Sequence, residues 1–206
     1  MPILAQLEHP IVQAPLAGGA STPALAAAVS EAGGLGFLAA GYKPAGAVRA
    51  DLEALRALSA RPFGLNLFVP PATAGDPTAI SAYAARLREE SERRGIPLGA
   101  PRRDDDAWAE KLTLALEERV PVVSFTFGCP PPELIGQFSD AGSEIWVTVT
   151  TPAEAALARN AGAHALVVQG VEAGGHRGGF EDEPGADLGL LAALQLIGAA
   201  VELPLV

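Results

Sequence analysis

His176 is the residue whose surroundings in this sequence speak most directly of chemistry. It lies in the segment Gln169-Gly170-Val171-Glu172-Ala173-Gly174-Gly175-His176-Arg177-Gly178-Gly179. The flanking glycine pairs supply no side chains to bury it, and they let a ligand approach the backbone closely. An imidazole changes protonation state near neutrality, which suits it to removing a proton next to an electron-withdrawing group. Gln13, Asn66 and Gln169 each carry an amide with both donors and acceptors, which is what the N and O edge of a flavin or nucleobase requires. Taken singly, Gln13 and Asn66 read equally well as side chains that satisfy loop backbone; three amides ending three strands carry more weight. Glu172 has two open readings, orienting His176 or capping a loop. Arg177 could neutralise an anionic ligand, although a solvated arginine is the commoner outcome.

The remaining reactive side chains read as structural. Cys129 sits between Gly128 and Pro130 with no nearby histidine or second cysteine, as befits a small buried filler rather than a nucleophile. No metal-ligand spacing occurs in the sequence. The acidic run Glu181-Asp182-Glu183 precedes Pro184 and reads as a solvated loop face.

These residues need elements to position them, and the sequence alternates short apolar blocks with stretches of helical spacing. Strands are expected at 11–14, 35–39, 63–68, 121–125, 144–148 and 165–169, with a seventh beginning at 203–206. Between them, helices are expected at about 23–32, 45–58, 77–94, 132–140 and 188–200, with another starting at 152. Ser21-Thr22-Pro23 combines a hydroxyl cap with proline at the first helical position, and Thr151-Pro152-Ala153-Glu154 spells a capping box. Asp104-Asp105-Asp106 is expected to cap an additional helix through about Glu118, after the Pro- and Gly-rich stretch 95–103.

Short doubly buried strands alternating with helices indicate a parallel α/β sheet. A doubly wound dinucleotide fold should carry G-x-G-x-x-G after its first strand. Here Ala14-Pro15-Leu16-Ala17-Gly18-Gly19 follows Gln13, and Gly33-Gly34-Leu35-Gly36 precedes a strand. A TIM (β/α)8-type barrel is therefore favoured. In such a fold the loops after the strands carry the site, which selects Gln13, Asn66, the end of 121–125, Gln169 and His176, and assigns His9 and His164 to the opposite, stabilising face.

Composition bounds the function. The 206 residues are 49% hydrophobic and 18% charged, with a net charge of −10 and one cysteine. Disorder and a disulfide framework are excluded on those numbers. The acidic balance argues against general binding of nucleic acid or an anionic membrane. The N-terminus lacks the pattern of a signal peptide, so a cytoplasmic protein of one domain, 1–206, is expected.

The ordered motifs Pro10-Ile11-Val12-Gln13-Ala14-Pro15-Leu16-Ala17-Gly18-Gly19, Asn66-Leu67-Phe68, Ser124-Phe125-Thr126-Phe127-Gly128 and Gln169 through Gly178 resemble the nitronate monooxygenase family. The resemblance runs along essentially the whole chain. It implies a barrel that binds FMN non-covalently at its C-terminal face and oxidises alkyl nitronates with molecular oxygen to a carbonyl compound and nitrite. By position it implies flavin contacts from Gln13, Ala14, Pro15, Leu16, Asn66, Gln169 and the Gly174-Gly175 backbone. His176 would remove the α-proton of a neutral nitroalkane or hold the nitronate near the flavin. Nicotinamide-dependent quinone or enoyl-acyl-carrier-protein reduction on the same scaffold is the alternative, with a non-redox phosphate-sugar or nucleotide barrel a weaker one. Against a barrel of roughly 250 residues, the chain is expected to be an incomplete barrel ending at the start of strand seven. It would then lack the two glycine-rich turns that hold the FMN phosphate, as a fragment or as an inactive truncated product.

Overall fold

A computed structural model of the chain describes residues 2–73, 75–181 and 187–206. Its centre is a five-stranded parallel sheet, β1 (Gly36–Ala39), β2 (Phe63–Phe68), β3 (Val122–Thr126), β4 (Glu144–Val149) and β5 (Ala165–Val168), in sequential order β1-β2-β3-β4-β5. A doubly wound sheet reverses its strand order at a switch point; this sheet has no reversal, which is the barrel-type arrangement. The expected first and seventh strands each appear as one parallel bridge, Val12 to Leu35 beside β1 and Leu205 to Leu166 beside β5.

The helices follow from local signals. Thr22 accepts from the Leu25 amide at 3.2 Å and opens α1 (Pro23–Glu31). Thr151 accepts from the Glu154 amide at 3.2 Å and opens α6 (Pro152–Ala161). Each such cap contributes about 1 kcal/mol. Between them lie α2 (Ala45–Leu58), α4 (Trp108–Glu117) and α5 (Pro132–Asp140), and α7 (Leu190–Ala200) follows β5. Residues 71–105 cluster separately and hold α3 (Pro77–Arg94), capped by Asp76 and without a buried residue. Among the described residues, no helix is long and apolar enough to cross a membrane.

One expectation fails. The run 104–106 does not cap α4: Ala107 occupies the cap position in a left-handed conformation, and no side chain caps the helix. Asp106 instead accepts from the Tyr42 amide at 2.8 Å and pairs with Lys111 Nζ at 2.7 Å. A buried lysine needs its counter-charge more than a helix end needs a carboxylate.

Alternation along each strand divides the core in two. Leu38, Leu65, Leu67, Val123, Phe125, Ile145, Val147 and Leu166 face the helices. Leu35, Phe37, Val122, Trp146 and Ala165 form the inner face, closed at its base by Ile3, Leu4 and Leu7 around the single-turn segment 3–6. Glu144 ties that base together, accepting from the Ile3 amide at 2.7 Å and from Trp146 Nε1 at 3.3 Å. His164 lies on the same stabilising side, where its Nδ1 accepts from the Ile145 amide at 3.0 Å.

Helix α1 sits so close to β1 that a Cβ on Gly36 would lie 2.0 Å from the Ala26 carbonyl oxygen, whereas one on Gly136, on the exposed side of α5, would meet nothing within 4 Å. Gly36→Ala should therefore destabilise by about 1–3 kcal/mol, and Gly136→Ala should stabilise by about 0.5–1 kcal/mol. Urea midpoints of the two variants check the pair.

Candidate active site

Moving towards the C-terminal ends of the strands, the inner face turns from apolar to polar. Val122 gives way to Ser124 and Thr126, Trp146 to Thr148 and Thr150, and Ala165 to Val167 and Gln169. Asn66 on β2 lies in register with Ser124 on β3. Its Nδ2 reaches Ser124 Oγ at 2.9 Å and Thr126 Oγ1 at 3.0 Å, and the Thr126 and Thr148 hydroxyls meet at 3.1 Å. A hydrogen-bonded band thus crosses three strands where a closed core would have aliphatic side chains. Thr126, Thr148 and Thr150 had a signal in sequence, the alternate hydroxyls of V-V-S-F-T and V-T-V-T, which the choice of amides passed over.

The loop after β5 folds down onto this band. Gln169 uses both ends of its amide on it: Nε2 donates to the His176 carbonyl at 3.1 Å, and Oε1 accepts from the Gly178 amide at 2.6 Å. A Cβ on Gly178 would lie 2.9 Å from Thr148 Cγ2, so the loop rests on the threonines only because that residue is glycine. From the other side Glu154 accepts from the Phe180 amide at 2.9 Å and from the Thr150 amide at 2.6 Å. The capping box is therefore half realised, with the glutamate returning to Thr150 and the loop rather than to Thr151.

Held this way, His176 is exposed, with its ring edge-on to Phe127 at 6.0 Å between centroids. Gly174 and Gly175 are open, with nothing within 4 Å of a Cβ at either, and Gly175 stands at φ 90°. Arg177 Nη1 donates to the Gln169 carbonyl at 3.2 Å and its Nε lies 3.6 Å from Asp187. The structure thus groups Asn66, Gln169, Gly174, Gly175 and His176. Gln13, Ala14, Pro15 and Leu16 form a knot of their own at the edge of the sheet. Gln13 Nε2 donates to Ser21 Oγ at 3.0 Å and to the Ala14 carbonyl, its Oε1 accepts from the Phe37 amide at 3.1 Å, and the Leu16 amide reaches Ser21 Oγ at 2.7 Å. All three amides therefore brace backbone or neighbouring side chains of the strand ends.

Other candidates resolve. Burial pushes the Cys129 thiol up to about 11, which leaves it unreactive near neutrality. Of the acidic run 181–183, Asp182 and Glu183 lie outside the described residues. A groove of about 450 Å³ between α2 and α4, lined by Ala45, Gly46, Arg49, Thr113 and Glu117 among others, includes none of the candidate residues.

Glu172 caps rather than orients. Its carboxylate accepts from the Leu190 amide at 2.9 Å, at the start of α7. Hydrogen bonds from its own amide and from Leu190, with the nearby Arg177 charge, hold its carboxyl below the ordinary 4.5. A depressed carboxyl stabilises the fold above its ordinary titration range and loses that contribution as pH falls through the folded value. A carbon-detected NMR titration should place the Glu172 midpoint below 4.5, and Glu172→Gln should speed exchange of the Leu190 amide.

Comparison with known proteins places the chain in a family. A family model described as nitronate monooxygenase matches residues 2–206. A nitronate monooxygenase of Pseudomonas aeruginosa is 42% identical over 97% of this chain and 58% of its own length. One from Paraburkholderia phytofirmans is 37% identical over 100% of this chain and 57% of its own. The solved structure of a nitroalkane oxidase from Streptomyces ansochromogenes superposes with a TM-score of 0.92 at 47% identity, covering 98% of this chain and 58% of that one. FabK from Thermotoga maritima follows at a TM-score of 0.70 and 28% identity, covering 98% of this chain and 51% of that one. The chain thus spans somewhat less than three-fifths of the length of these curated relatives. With a family model matched along its whole described length, the chain belongs to the nitronate monooxygenase family.

Proposed function

We propose that the protein oxidises alkyl nitronates with molecular oxygen to a carbonyl compound and nitrite, using FMN, with His176 as the base. The observation that carries the reading is a single one. In a chain that matches nitronate monooxygenases over 97% of its length, an exposed histidine is held by a bracing amide over a polar band at the strand ends.

The residues present suit a flat heteroaromatic cofactor. Bare backbone at Gly174 and Gly175 leaves room for a ring to approach, since a Cβ at either would meet nothing within 4 Å. The Asn66, Thr126 and Thr148 band offers polar groups to a ring edge. In this reading Gln13, Ala14, Pro15, Leu16, Asn66, Gln169, Gly174 and Gly175 surround the flavin. When bound, the flavin supplies the redox chemistry, and the protein supplies orientation and proton handling. Gln169 then has a second duty: by bonding the His176 carbonyl and the Gly178 amide it fixes the direction in which the imidazole projects.

His176 acts on the α-carbon of a neutral nitroalkane. The nitro group makes that carbon acidic, and the imidazole takes its proton to leave the anionic nitronate beside the imidazolium that balances its charge. A preformed nitronate needs no such step. The reductase alternative has weaker support, because the likeness to FabK stands at 28% identity against 47% for the nitroalkane oxidase.

His176→Asn should slow turnover of neutral nitroethane by about 10²–10⁴-fold and that of preformed ethylnitronate far less. Steady-state oxygen consumption with the two substrate forms reads the difference. Equal slowing of both would remove the base role.

A further inference from the structure

Four rings run in sequence across the strand ends. Tyr42, after β1, lies edge-on to Phe68 of β2 at 5.4 Å, Phe68 to Phe127 at 4.8 Å, and Phe127 to His176 at 6.0 Å. Two of the four stand on left-handed backbone, Tyr42 at φ 65° and Phe127 at φ 71°. Bulky residues rarely adopt this conformation, and they keep it only where the surroundings hold them there. Phe127 has the helix-facing parity of β3, and its left-handed turn ends the alternation, so that its ring meets Phe68 on the inner parity.

Tyr42 is held by an unusual device. Its amide donates to Asp106 Oδ1 at 2.8 Å, and the same oxygen lies 2.7 Å from Lys111 Nζ, on a side chain 2% exposed. The next residue, Lys43, is tied to Asp51 of α2 at 2.6 Å. Asp106 and Ala107 are themselves left-handed, at φ 57° and 51°. Gly41 completes the fit, since a Cβ there would fall 2.2 Å from Phe68 Cε2. A buried lysine is costly unless its carboxylate partner is in place. Here that pair and the strained backbone serve to place a tyrosine that is 66% exposed. An exposed ring contributes little to the core, so the arrangement is explained by what the ring faces.

We infer that Tyr42, Phe68 and Phe127 form the wall that receives the carbon substituent of the substrate, with Asp106 and Lys111 as positioning residues that fix Tyr42 on it. This rests on the proposed role of His176, which places the acidic carbon at the histidine end of the row. The row is continuous with that end and aromatic along its length, and the faces of edge-to-face rings present surfaces suited to methylene groups. The substrate class is therefore a nitroalkane or nitronate whose alkyl chain extends several carbons from the nitro-bearing one.

The test is the ratio of kcat/KM for 1-nitrohexane to that for nitroethane. Tyr42→Ala should lower the ratio about tenfold, and Tyr42→Phe should keep it. Asp106→Ala combined with Lys111→Met, which leaves no unpaired buried charge, should lower it in the same direction although neither side chain touches substrate. A ratio unchanged in folded Tyr42→Ala overturns the inference. Failure of the base reading shows elsewhere, as equal slowing of nitroethane and ethylnitronate by His176→Asn, and leaves this ratio intact. Should the chain turn over no nitroalkane, calorimetric binding of heptanoate against propionate, carboxylates of nitronate shape, reads the same preference. Tighter heptanoate binding that is lost in Tyr42→Ala supports the wall; equal binding, or none, overturns it.

Discussion

The inner face of the parallel sheet must be filled, and the way it is filled decides everything above it. At the base Phe37, Val122 and Trp146 exclude water. One layer higher the sheet presents Asn66, Ser124 and Thr148, buried, with half-buried Thr126, and a buried polar group left unpaired there would cost about 1–3 kcal/mol. They pair with one another across three strands. That band gives the loop after β5 a floor with fixed height and fixed hydrogen-bonding character. Gln169 and Glu154 then fasten the loop, and His176 projects as a consequence.

The same logic explains why the strand ends carry strain. Side-chain alternation would direct the ring of Phe127 towards the helices, and the left-handed turn there returns it to the inner side. Tyr42 is kept in a similar conformation through Asp106 and the buried Lys111. Left-handed backbone thus occurs just after β1 and β3, where the surrounding contacts must hold it. Glu172, by contrast, has the ordinary task of starting α7, and Cys129 that of filling space.

Much of this was legible in the sequence where the determinants are local. Thr22-Pro23 and Thr151-Pro152 start helices because a hydroxyl and a proline suffice within one turn. The His176 segment stood out by its flanking glycines, and the structure leaves that histidine exposed with its carbonyl held by Gln169. Asp104-Asp105-Asp106 misled, because Asp106 answers to Lys111 and to Tyr42, 64 positions away in sequence. The aromatic row was not legible, since nothing in the residue types of Tyr42 or Phe127 announces a left-handed backbone. The amides were found by type, but the partners of Asn66, and the Phe37 amide that Gln13 accepts from, depend on which strands lie side by side.

If the band and the braced His176 segment serve nitronate oxidation at a flavin, nitronate itself must be the electron donor to that flavin. The most direct measurement is to load the protein with FMN, exclude oxygen and add ethylnitronate while following the visible absorbance of the oxidised flavin. The account predicts that the nitronate bleaches the band and that admitting oxygen restores it with release of nitrite. A band untouched by nitronate but bleached by a reduced nicotinamide would contradict it.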